Sequence, residues 1–369
     1  MHSTWKTVVI TGLLAAVGLT GCAPAYAYDP FPPRVSPALG EMRDGYASVR
    51  LFYATDRRPT AKDKTGQKYS GDRTGELRGG TCRVSIPRGH GRGRLESPAL
   101  FRSPKPQKHV LLSDVSPAED GDAYWRDLRE QLGRSTRKEV FVFVHGYAAT
   151  FAGAIRRTAQ IAHDVEFDGV AITYSWPAQG GLLSYLVDAS NADWTLPHLV
   201  EFLTLLVDES GAQHIHLMAH SMGCRVLSQA VKEFVRQRGE GDARRFDQII
   251  LAAGDIDAEL FERDHAPYLM QAANRVTIYT SKSDWVLGGS QKLHRYARLG
   301  QSGPPNADVT AVGRLNVVDA SAVDKGLFGH QYYGSSPTVL EDLVGVLRGD
   351  SLEARGLAPR EPLVRLERR

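Results

Sequence analysis

The sequence predicts an α/β domain with one mostly parallel central sheet and helices on both of its faces. Strand-like and helix-like segments alternate along the chain, and several of the strand-like segments are almost continuously apolar. Such alternation is typical of right-handed βαβ units, and continuous apolar runs are typical of strands buried on both faces of a parallel sheet. The composition of the 369 residues, 42% hydrophobic and 24% charged, is that of an ordinary globular protein.

Eight segments carry the strand pattern and six carry the helix pattern. The predicted strands cover residues 49–53, 82–86, 140–144, 170–174, 215–219, 248–253, 276–280 and 315–318. The predicted helices cover residues 123–132, 152–164, 197–207, 222–236, 258–272 and 338–347. We place the domain at residues 46–350 and expect residues 182–196 to form part of a small cap, too short for a large lid domain.

The first residues carry the pattern of a secretory signal. Lys6 is followed by an apolar run over residues 8–19, which is short for a bilayer span of about 20 residues. Leu19-Thr20-Gly21-Cys22 resembles the lipobox of bacterial lipoproteins, in which a signal peptidase cuts before the cysteine and that cysteine carries the lipid. We therefore expect a lipoprotein signal peptide over residues 1–21, lipid attachment at Cys22 and membrane binding through this anchor.

The segment after the expected cleavage site is rich in proline. Residues 22–45 predict an extended tether that leads to the domain. A lipid at Cys22 would place the protein in the cell envelope, on a bacterial membrane facing the periplasm, and Ala23 favours the outer membrane over the inner one. Cleavage after Ala27, which would release a soluble periplasmic protein, is the alternative.

Charge excludes one class of function. With 45 Lys and Arg against 42 Asp and Glu, the chain has a formal net charge of +3 and does not predict a nucleic-acid partner. Residues 83–108 hold seven basic residues and one acidic residue, which we interpret as a solvated loop or hairpin. A patch for anionic lipid headgroups or peptidoglycan is the alternative. The charged residues 351–369 predict a flexible tail, and nothing in the sequence indicates an oligomeric state.

A serine lies where a predicted strand passes directly into a predicted helix. The segment reads Ala219-His-Ser221-Met-Gly223, and small residues on both sides of a serine suit the tight turn of a nucleophile elbow. Ala219 stands where glycine is usual and is the next smallest residue. We therefore identify Ser221 as the candidate nucleophile and interpret the nearby Cys224 as a packing residue.

A second motif fits an oxyanion loop. The predicted strand 140–144 runs into His145-Gly146-Tyr147, upstream of the serine. An oxyanion is held by backbone N–H groups, and one of them follows the nucleophile directly. We assign this role to the N–H groups of Tyr147 and Met222.

These motifs, together with Tyr174-Ser-Trp-Pro177 and Gly329-His-Gln-Tyr-Tyr333, resemble a bacterial α/β-hydrolase family of esterase/lipase-like proteins of unknown function. The resemblance covers residues 46–348. It implies an α/β-hydrolase fold and hydrolytic chemistry, and it names no substrate.

Serine is a weak nucleophile at neutral pH, so a histidine must take its proton and a carboxylate must orient the imidazole. In this fold the three residues follow one another as serine, acid and histidine. His330 lies in a glycine-rich segment after the last predicted strand, where the resemblance also places its Gly-His motif, and is the candidate base. His294 and His265 are weaker alternatives because both fall in helix-like segments.

Two strand ends compete to supply the acid. Asp284 follows the predicted strand 276–280 and is the favoured candidate. Asp255 and Asp257 follow the preceding strand, 248–253, and are the alternatives, with Asp255 expected to anchor a loop near the site or to contact substrate.

A tryptophan and three histidines have more than one interpretation. Trp176 is either a packing residue or a wall of the substrate pocket. His214, His216 and His220 raise the question of a metal site, but no carboxylate or cysteine completes a recognised spacing. We therefore expect neither a metal nor a cofactor.

The sequence as a whole predicts a membrane-tethered serine hydrolase that cleaves carboxylic esters or thioesters through an acyl-enzyme, with a small-molecule or lipid ester as substrate. Two alternatives remain open. One is a cell-envelope peptidase or amidase with the same triad, and the other is a catalytically idle fold that serves as an envelope binding or scaffold lipoprotein.

Overall fold

The computed structural model describes residues 35–62, 65–239, 242, 245–305, 314–323, 329–357 and 364–366. The predicted signal peptide, Cys22, Ala27 and the first part of the predicted tether lie outside the described residues. Among the residues that are described, no helix is both long enough and apolar enough to cross a membrane.

The described residues form an 11-stranded, mostly parallel sheet, which confirms the predicted fold class. Its order is β11-β10-β9-β8-β7-β5-β6-β2-β3-β4, with β1 paired to β2. The first four strands pair antiparallel with one another, and every other pair in the sheet is parallel. All eight predicted strands overlap observed ones. The strands are β1 (Gly40–Arg43), β2 (Tyr46–Pro59), β3 (Tyr69–Pro87), β4 (Leu111–Pro117), β5 (Glu139–Val144), β6 (Gly169–Ser175), β7 (His214–His220), β8 (Phe246–Ala252), β9 (Ala273–Thr280), β10 (Leu315–Asp319) and β11 (Val364–Arg365).

The helices agree with five of the six predictions, and the sixth predicted helix is interrupted. A π-helical turn, Phe261–His265, separates two short helices within residues 258–272. Pro267 lacks the N–H that a continuous helix would need there. The described helices are α1 (Gly121–Leu132), α2 (Phe151–Asp164), α3 (Tyr185–Trp194), α4 (Leu196–Glu209), α5 (Met222–Arg238), α6 (Ala258–Leu260), α7 (Ala266–Ala272), α8 (Trp285–His294), α9 (Leu299–Ser302), α10 (Tyr332–Ser335) and α11 (Pro337–Arg348).

Strand β5 shows why the sheet needs helices on both faces. Successive side chains of a strand point to opposite faces, so Val140 and Val142 pack toward α1, α4 and α5. Phe141 and Phe143 pack toward α2 and α11 on the other face. All four are buried, and full burial of such a side chain contributes about 1.5–3 kcal/mol. The continuous apolar run of β5 therefore contributes to two hydrophobic cores, one on each face of the sheet.

Both ends of the domain differ from the prediction. β1 pairs with β2, and Leu39 is buried, so the sheet takes in residues that had been assigned to the tether. At the other end β11 pairs with β10, and Leu366 is buried, so the predicted tail is not free over residues 364–366. In both places a few apolar residues within a polar stretch reach a sheet edge, which composition alone does not reveal.

The parallel strands bring five loops to one edge of the sheet. The segments that follow β5, β7, β8, β9 and β10 begin at the carboxyl ends of these strands. In α/β sheets this edge is where ligands bind. The candidate nucleophile, oxyanion residues, base and acids lie on these five segments, and Trp176 follows β6.

Candidate active site

Ser221 occupies the sharp turn between β7 and α5. Its φ of 54° and ψ of −125° lie outside the regions that residues with a side chain prefer. Such strained conformations cluster at functional sites. The turn also approaches β5 closely, because a Cβ on Gly223 would lie 2.3 Å from the carbonyl oxygen of His145. Only glycine allows this approach, which explains the second small residue of the motif.

The structure brings Ser221, His330 and Asp284 into one hydrogen-bonded chain. Nε2 of His330 lies 2.9 Å from Oγ of Ser221, and Nδ1 of His330 lies 2.7 Å from Oδ2 of Asp284. Asp284 can only accept, so Nδ1 carries the proton and Nε2 is free to accept from the serine hydroxyl. The other carboxylate oxygen accepts from the N–H of Leu287 at the start of α8. All three side chains are buried, so this series of hydrogen bonds is shielded from water.

The two alternative acids, Asp255 and Asp257, accept hydrogen bonds from other groups. Oδ1 of Asp255 accepts from Arg298 Nε at 2.8 Å and from Ser290 Oγ at 2.7 Å, and its other oxygen accepts from Tyr185. Asp257 caps α6 by accepting from two backbone N–H groups. Neither aspartate has a hydrogen bond to His330 in the described residues. Asp255 instead connects α3 and α8 through Tyr185 and Ser290.

The assigned oxyanion groups are available for a ligand. In the described part of the chain, neither the N–H of Tyr147 nor that of Met222 donates to a protein acceptor. Both residues follow strands that pair in parallel register, β5 and β7. Gly146 fits between them, because a Cβ there would lie 2.9 Å from Cβ of Ser221. The close fit sets the oxyanion loop directly against the candidate nucleophile.

Arg57 on β2 holds the oxyanion loop, and the sequence analysis missed it. The side chain is 1% exposed, and its guanidinium donates to the carbonyls of Ala149 and Ala178, each at 2.8 Å, and to Oγ of Ser175 at 2.9 Å. It also lies 3.3 Å from Nε2 of His145. Burial lowers the pKa of Arg57 to about 10, so the group remains charged at neutral pH.

The imidazole of His145 is neutral beside this buried cation. Burial and the Arg57 guanidinium lower the pKa of His145 to about 3. Its Nδ1 donates to the carbonyl of Gly146 at 2.8 Å. Nε2 therefore accepts from Arg57, and the imidazole links the cation to the loop.

Asp188 holds the same loop from the side of α3. One carboxylate oxygen accepts from the N–H of Ala148 and the other from the N–H of Gln179, both at 2.8 Å. Ala148 has a φ of 56°, a strained value that these contacts maintain. α3 lies within residues 182–196, so the predicted cap segment supports the oxyanion loop.

His220, next to the candidate nucleophile, is tied to the candidate base. Its Nε2 donates to the backbone carbonyl of His330 at 3.0 Å, and its ring stacks on Tyr333 with centroids 4.1 Å apart. Burial and the neighbouring His330 hold the pKa of His220 well below 6.5, so the imidazole is neutral. The Gly-His-x-Tyr and His-Ser motifs thus meet in space.

Trp176 packs next to the oxyanion loop and is not among the residues that line the cavity between α3 and α8. The side chain is fully buried, its Nε1 donates to the carbonyl of His145 at 2.7 Å, and its ring stacks on that imidazole. Trp176 supports the oxyanion loop from below. Cys224 is a free, buried thiol whose Sγ lies 3.3 Å from the carbonyl of Ala219, and burial raises its pKa. It is a packing residue, as is the free, buried Cys82.

The remaining histidine candidates lie apart from the triad contacts. His294 bonds within α8, and burial lowers the pKa of His265 to about 4. His214 lies 3.0 Å from a carboxylate oxygen of Asp247, and His216 lies 3.6 Å from Glu139. His220 donates to the carbonyl of His330. His214, His216 and His220 therefore have separate partners and do not surround a common position for a metal ion.

A different group of potential metal ligands does come together. One ligand atom from each of His90, His163 and Asp164 lies within 4.8 Å of the others. In the structure these residues contact one another directly, and His90 bridges Glu96 and Asp164 at 2.8 Å on each side. The cluster ties the segment after β3 to the end of α2. No spacing in the sequence predicts this cluster, because its members come from two distant segments.

A cavity lies beside the triad between α3 and α8. It encloses about 200 Å³. The oxyanion residue Tyr147 forms part of its wall. So does Asp255, whose N–H donates to the carbonyl of Ser221 at 3.1 Å, so the cavity lies near the candidate nucleophile. The lining residues are Tyr147, Tyr185, Asp255, Val286, Gly289, Ser290 and Leu293.

The chain matches one protein family and is similar to several solved structures. No curated protein sequence matches the chain. Similar solved structures include an acetylxylan esterase, with 13% identity over 57% of this chain and 97% of that chain and a TM-score of 0.36. A lipase-esterase related protein from Clostridium acetobutylicum has 9% identity over 57% and 93% with a TM-score of 0.31. A cutinase-like protein from Cryptococcus sp. has 11% identity over 59% and 98% with a TM-score of 0.31. Residues 121–347 match the family described as alpha/beta hydrolase of unknown function (DUF900), and the chain belongs to that family.

Proposed function

We propose that this α/β hydrolase is a serine hydrolase that cleaves carboxylic esters or thioesters through an acyl-enzyme. The observation that carries the proposal is the unbroken hydrogen-bonded chain from Ser221 through His330 to Asp284. The N–H groups of Tyr147 and Met222, which donate to no acceptor among the described residues, complete the set of groups that acyl transfer needs.

In the first half of the reaction Oγ of Ser221 attacks the substrate carbonyl carbon while its proton passes to Nε2 of His330. The N–H groups of Tyr147 and Met222 bind the negative oxygen of the tetrahedral intermediate. Asp284 remains ionised and stabilises the imidazolium. The intermediate then collapses, the bond to the alcohol or thiol breaks, and the leaving group takes the proton from Nε2.

The second half repeats these steps with water. Nε2 of His330 takes a proton from a water molecule, whose oxygen attacks the acyl carbon bound to Ser221. The second tetrahedral intermediate uses the same two N–H groups. Its collapse returns the proton to Oγ of Ser221 and releases the carboxylic acid, so the enzyme is regenerated.

The cavity beside the triad supplies a place for one side of the ester. Its wall includes the side chains of Val286 and Leu293 and the rings of Tyr147 and Tyr185. An apolar pocket with a few polar groups is typical of a small-molecule site. We propose that it binds an apolar portion of the substrate next to the oxyanion loop.

Labelling with a fluorophosphonate probe tests the nucleophile. The native protein should be labelled and Ser221→Ala should not be. Ser228→Ala is the matched control, because Ser228 is a buried serine on α5, the helix that follows Ser221, and should leave labelling intact. A folded native protein that resists the probe would indicate the idle scaffold instead. Faster turnover of peptide amides than of p-nitrophenyl esters would indicate the peptidase.

We also propose that the lipobox directs lipid attachment at Cys22 and holds the enzyme at a bacterial envelope membrane. The support is the motif in the sequence. Metabolic labelling with radioactive palmitate tests it, since the native protein should incorporate the label and Cys22→Ser should not. Incorporation of the label into the variant would contradict the anchor.

A further inference from the structure

We propose that an apolar surface around the mouth of the cavity docks the enzyme on a lipid bilayer with anionic headgroups. This inference rests on the proposed esterase function and specifies how its substrate arrives. We call the surface the apolar rim. Its members are Leu183, Leu186, Val187, Trp285, Leu293 and Tyr296.

The rim exposes far more apolar area than its residue types usually do. Leu183 is 103% exposed, Trp285 is 79% exposed and Leu186 is 72% exposed. Scattered apolar residues on a surface need no explanation, but a contiguous group marks a binding site. These residues come from only two short segments, around the start of α3 and along α8.

Direct contacts join the two segments into one surface. The hydroxyl of Tyr185 on α3 donates to Asp255 at 2.8 Å and lies 3.3 Å from Oγ of Ser290 on α8. The ring of Tyr185 also packs against His294, with centroids 5.9 Å apart. Tyr185, Ser290 and the rim residue Leu293 all line the cavity. Leu293 therefore belongs both to the rim and to the wall of the cavity that Tyr147 also lines.

The charges at the rim favour an anionic surface. Lys282, Lys292 and Arg295 are exposed beside the apolar residues. Residues 181–187 contain no acidic residue, and the acidic residue within 281–297, Asp284, is buried in the triad. Near an anionic bilayer each such cation contributes about 1 kcal/mol. Tryptophan and tyrosine, both present in the rim, suit the membrane interface.

The position of the cavity argues for a lipid rather than a protein on this surface. A protein that covered the rim would also cover the opening of the cavity that it borders. A bilayer that contacts the rim brings its own ester groups to that opening instead. Docking and substrate delivery then use the same surface.

Vesicle co-sedimentation tests the proposal with the full-length protein carrying Cys22→Ser, so that no lipid on that residue contributes. We expect stronger binding to phosphatidylcholine vesicles that contain phosphatidylglycerol than to vesicles without it. The variant Leu183→Ser with Leu186→Ser should weaken binding about tenfold or more. The matched control is Leu100→Ser with Phe101→Ser, which removes two residues that are equally exposed but lie on the basic segment 83–108. It should bind like the parent. An equal loss of binding in this control would indicate that the basic segment, and not the rim, contacts the anionic lipid, and would overturn the proposal.

Trp285 provides a direct signal for the same contact. Vesicles should shift tryptophan emission to shorter wavelength in the parent, and Trp285→Phe should lose the shift while it still binds. Unchanged binding of the Leu183 and Leu186 variant, or an emission shift that persists without Trp285, would overturn the proposal.

Activity measurements separate this inference from the proposed function. The Leu183 and Leu186 variant should hydrolyse a soluble p-nitrophenyl ester like the parent and lose hydrolysis of an ester carried in vesicles. Equal loss on both substrates would overturn a docking role. A parent that binds vesicles but hydrolyses neither ester would leave docking supported and contradict the esterase function.

Discussion

The backbone carbonyl of His330 accepts a hydrogen bond from Nε2 of His220, the residue that directly precedes Ser221. The residue beside the candidate nucleophile therefore fixes the loop that carries the candidate base. Since His220 is buried and neutral, it acts through this contact as a positioning residue.

Replacing His220 should reduce turnover more than substrate binding. His220→Phe keeps a ring beside Tyr333 but leaves the carbonyl of His330 without a partner, at a cost of about 1–3 kcal/mol. We expect kcat on a p-nitrophenyl ester to fall about ten- to hundredfold with a smaller change in KM. Steady-state kinetics measure both. The control is His214→Phe at the other end of β7, and an equal fall in kcat there would refute the positioning role.

The acid of the triad can be identified by two isosteric changes. Asp284→Asn should lower kcat by about 10⁴-fold, as expected when a triad carboxylate becomes an amide. Asp255→Asn removes the buried partner of Arg298 and should act mainly on stability, by up to about 3 kcal/mol. Kinetics below the melting temperature of both variants, with melting curves beside them, distinguish the two. A larger kcat effect from Asp255→Asn would reverse the assignment.

Arg57 should matter for turnover although it lies beneath the oxyanion loop. Arg57→Met leaves the carbonyls of Ala149 and Ala178 without their donor and loosens the loop that carries the N–H of Tyr147. Because one oxyanion donor is worth about 10²–10³ in kcat, we expect a fall of ten- to hundredfold together with a lower melting temperature. The matched control is the exposed neighbour Arg58, and Arg58→Met should change neither quantity.

The His90 cluster predicts a pH-dependent contribution to stability. Burial lowers the pKa of His90, but hydrogen bonds to Asp164 and Glu96 outweigh it and raise the pKa to about 9. A pKa raised above the ordinary 6.5 stabilises the fold fully below about pH 6.5, and this contribution disappears as pH rises through 9. The shift corresponds to about 3 kcal/mol.

Urea unfolding of the native protein and of His90→Gln across this pH range tests the cluster. The difference between their free energies of unfolding should be largest at pH 6.5 and should shrink toward pH 9. His109→Gln, on the segment that leads into β4, should show no such trend. A difference for His90→Gln that stays constant with pH would contradict the charged bridge.

Local patterns were sufficient for the elements and for the candidate nucleophile. The apolar run of β5 predicts a strand buried on both faces, and the small residues around Ser221 predict the turn, because both properties depend on neighbours in the chain. The segments the sequence could not assign, α3 and α8, carry apolar residues that face solvent as well as the cavity. The apolar residues of α3 and α8 therefore follow the helical repeat only weakly.

The sequence by itself determined the α/β fold class, the order of serine, acid and histidine, and the two strand ends that could supply the acid. Only the tertiary structure distinguishes the contacts of these two acids, since Asp255 and Asp284 follow adjacent strands, β8 and β9, at the same edge of the sheet. Arg298 binds Asp255, while Asp284 reaches His330 across 46 residues of sequence. Arg57 likewise meets the oxyanion loop only because β2 pairs with β6 in the folded sheet. Contacts between distant segments leave no spacing in the sequence, and the direction of each side chain at a strand end depends on the packing around it.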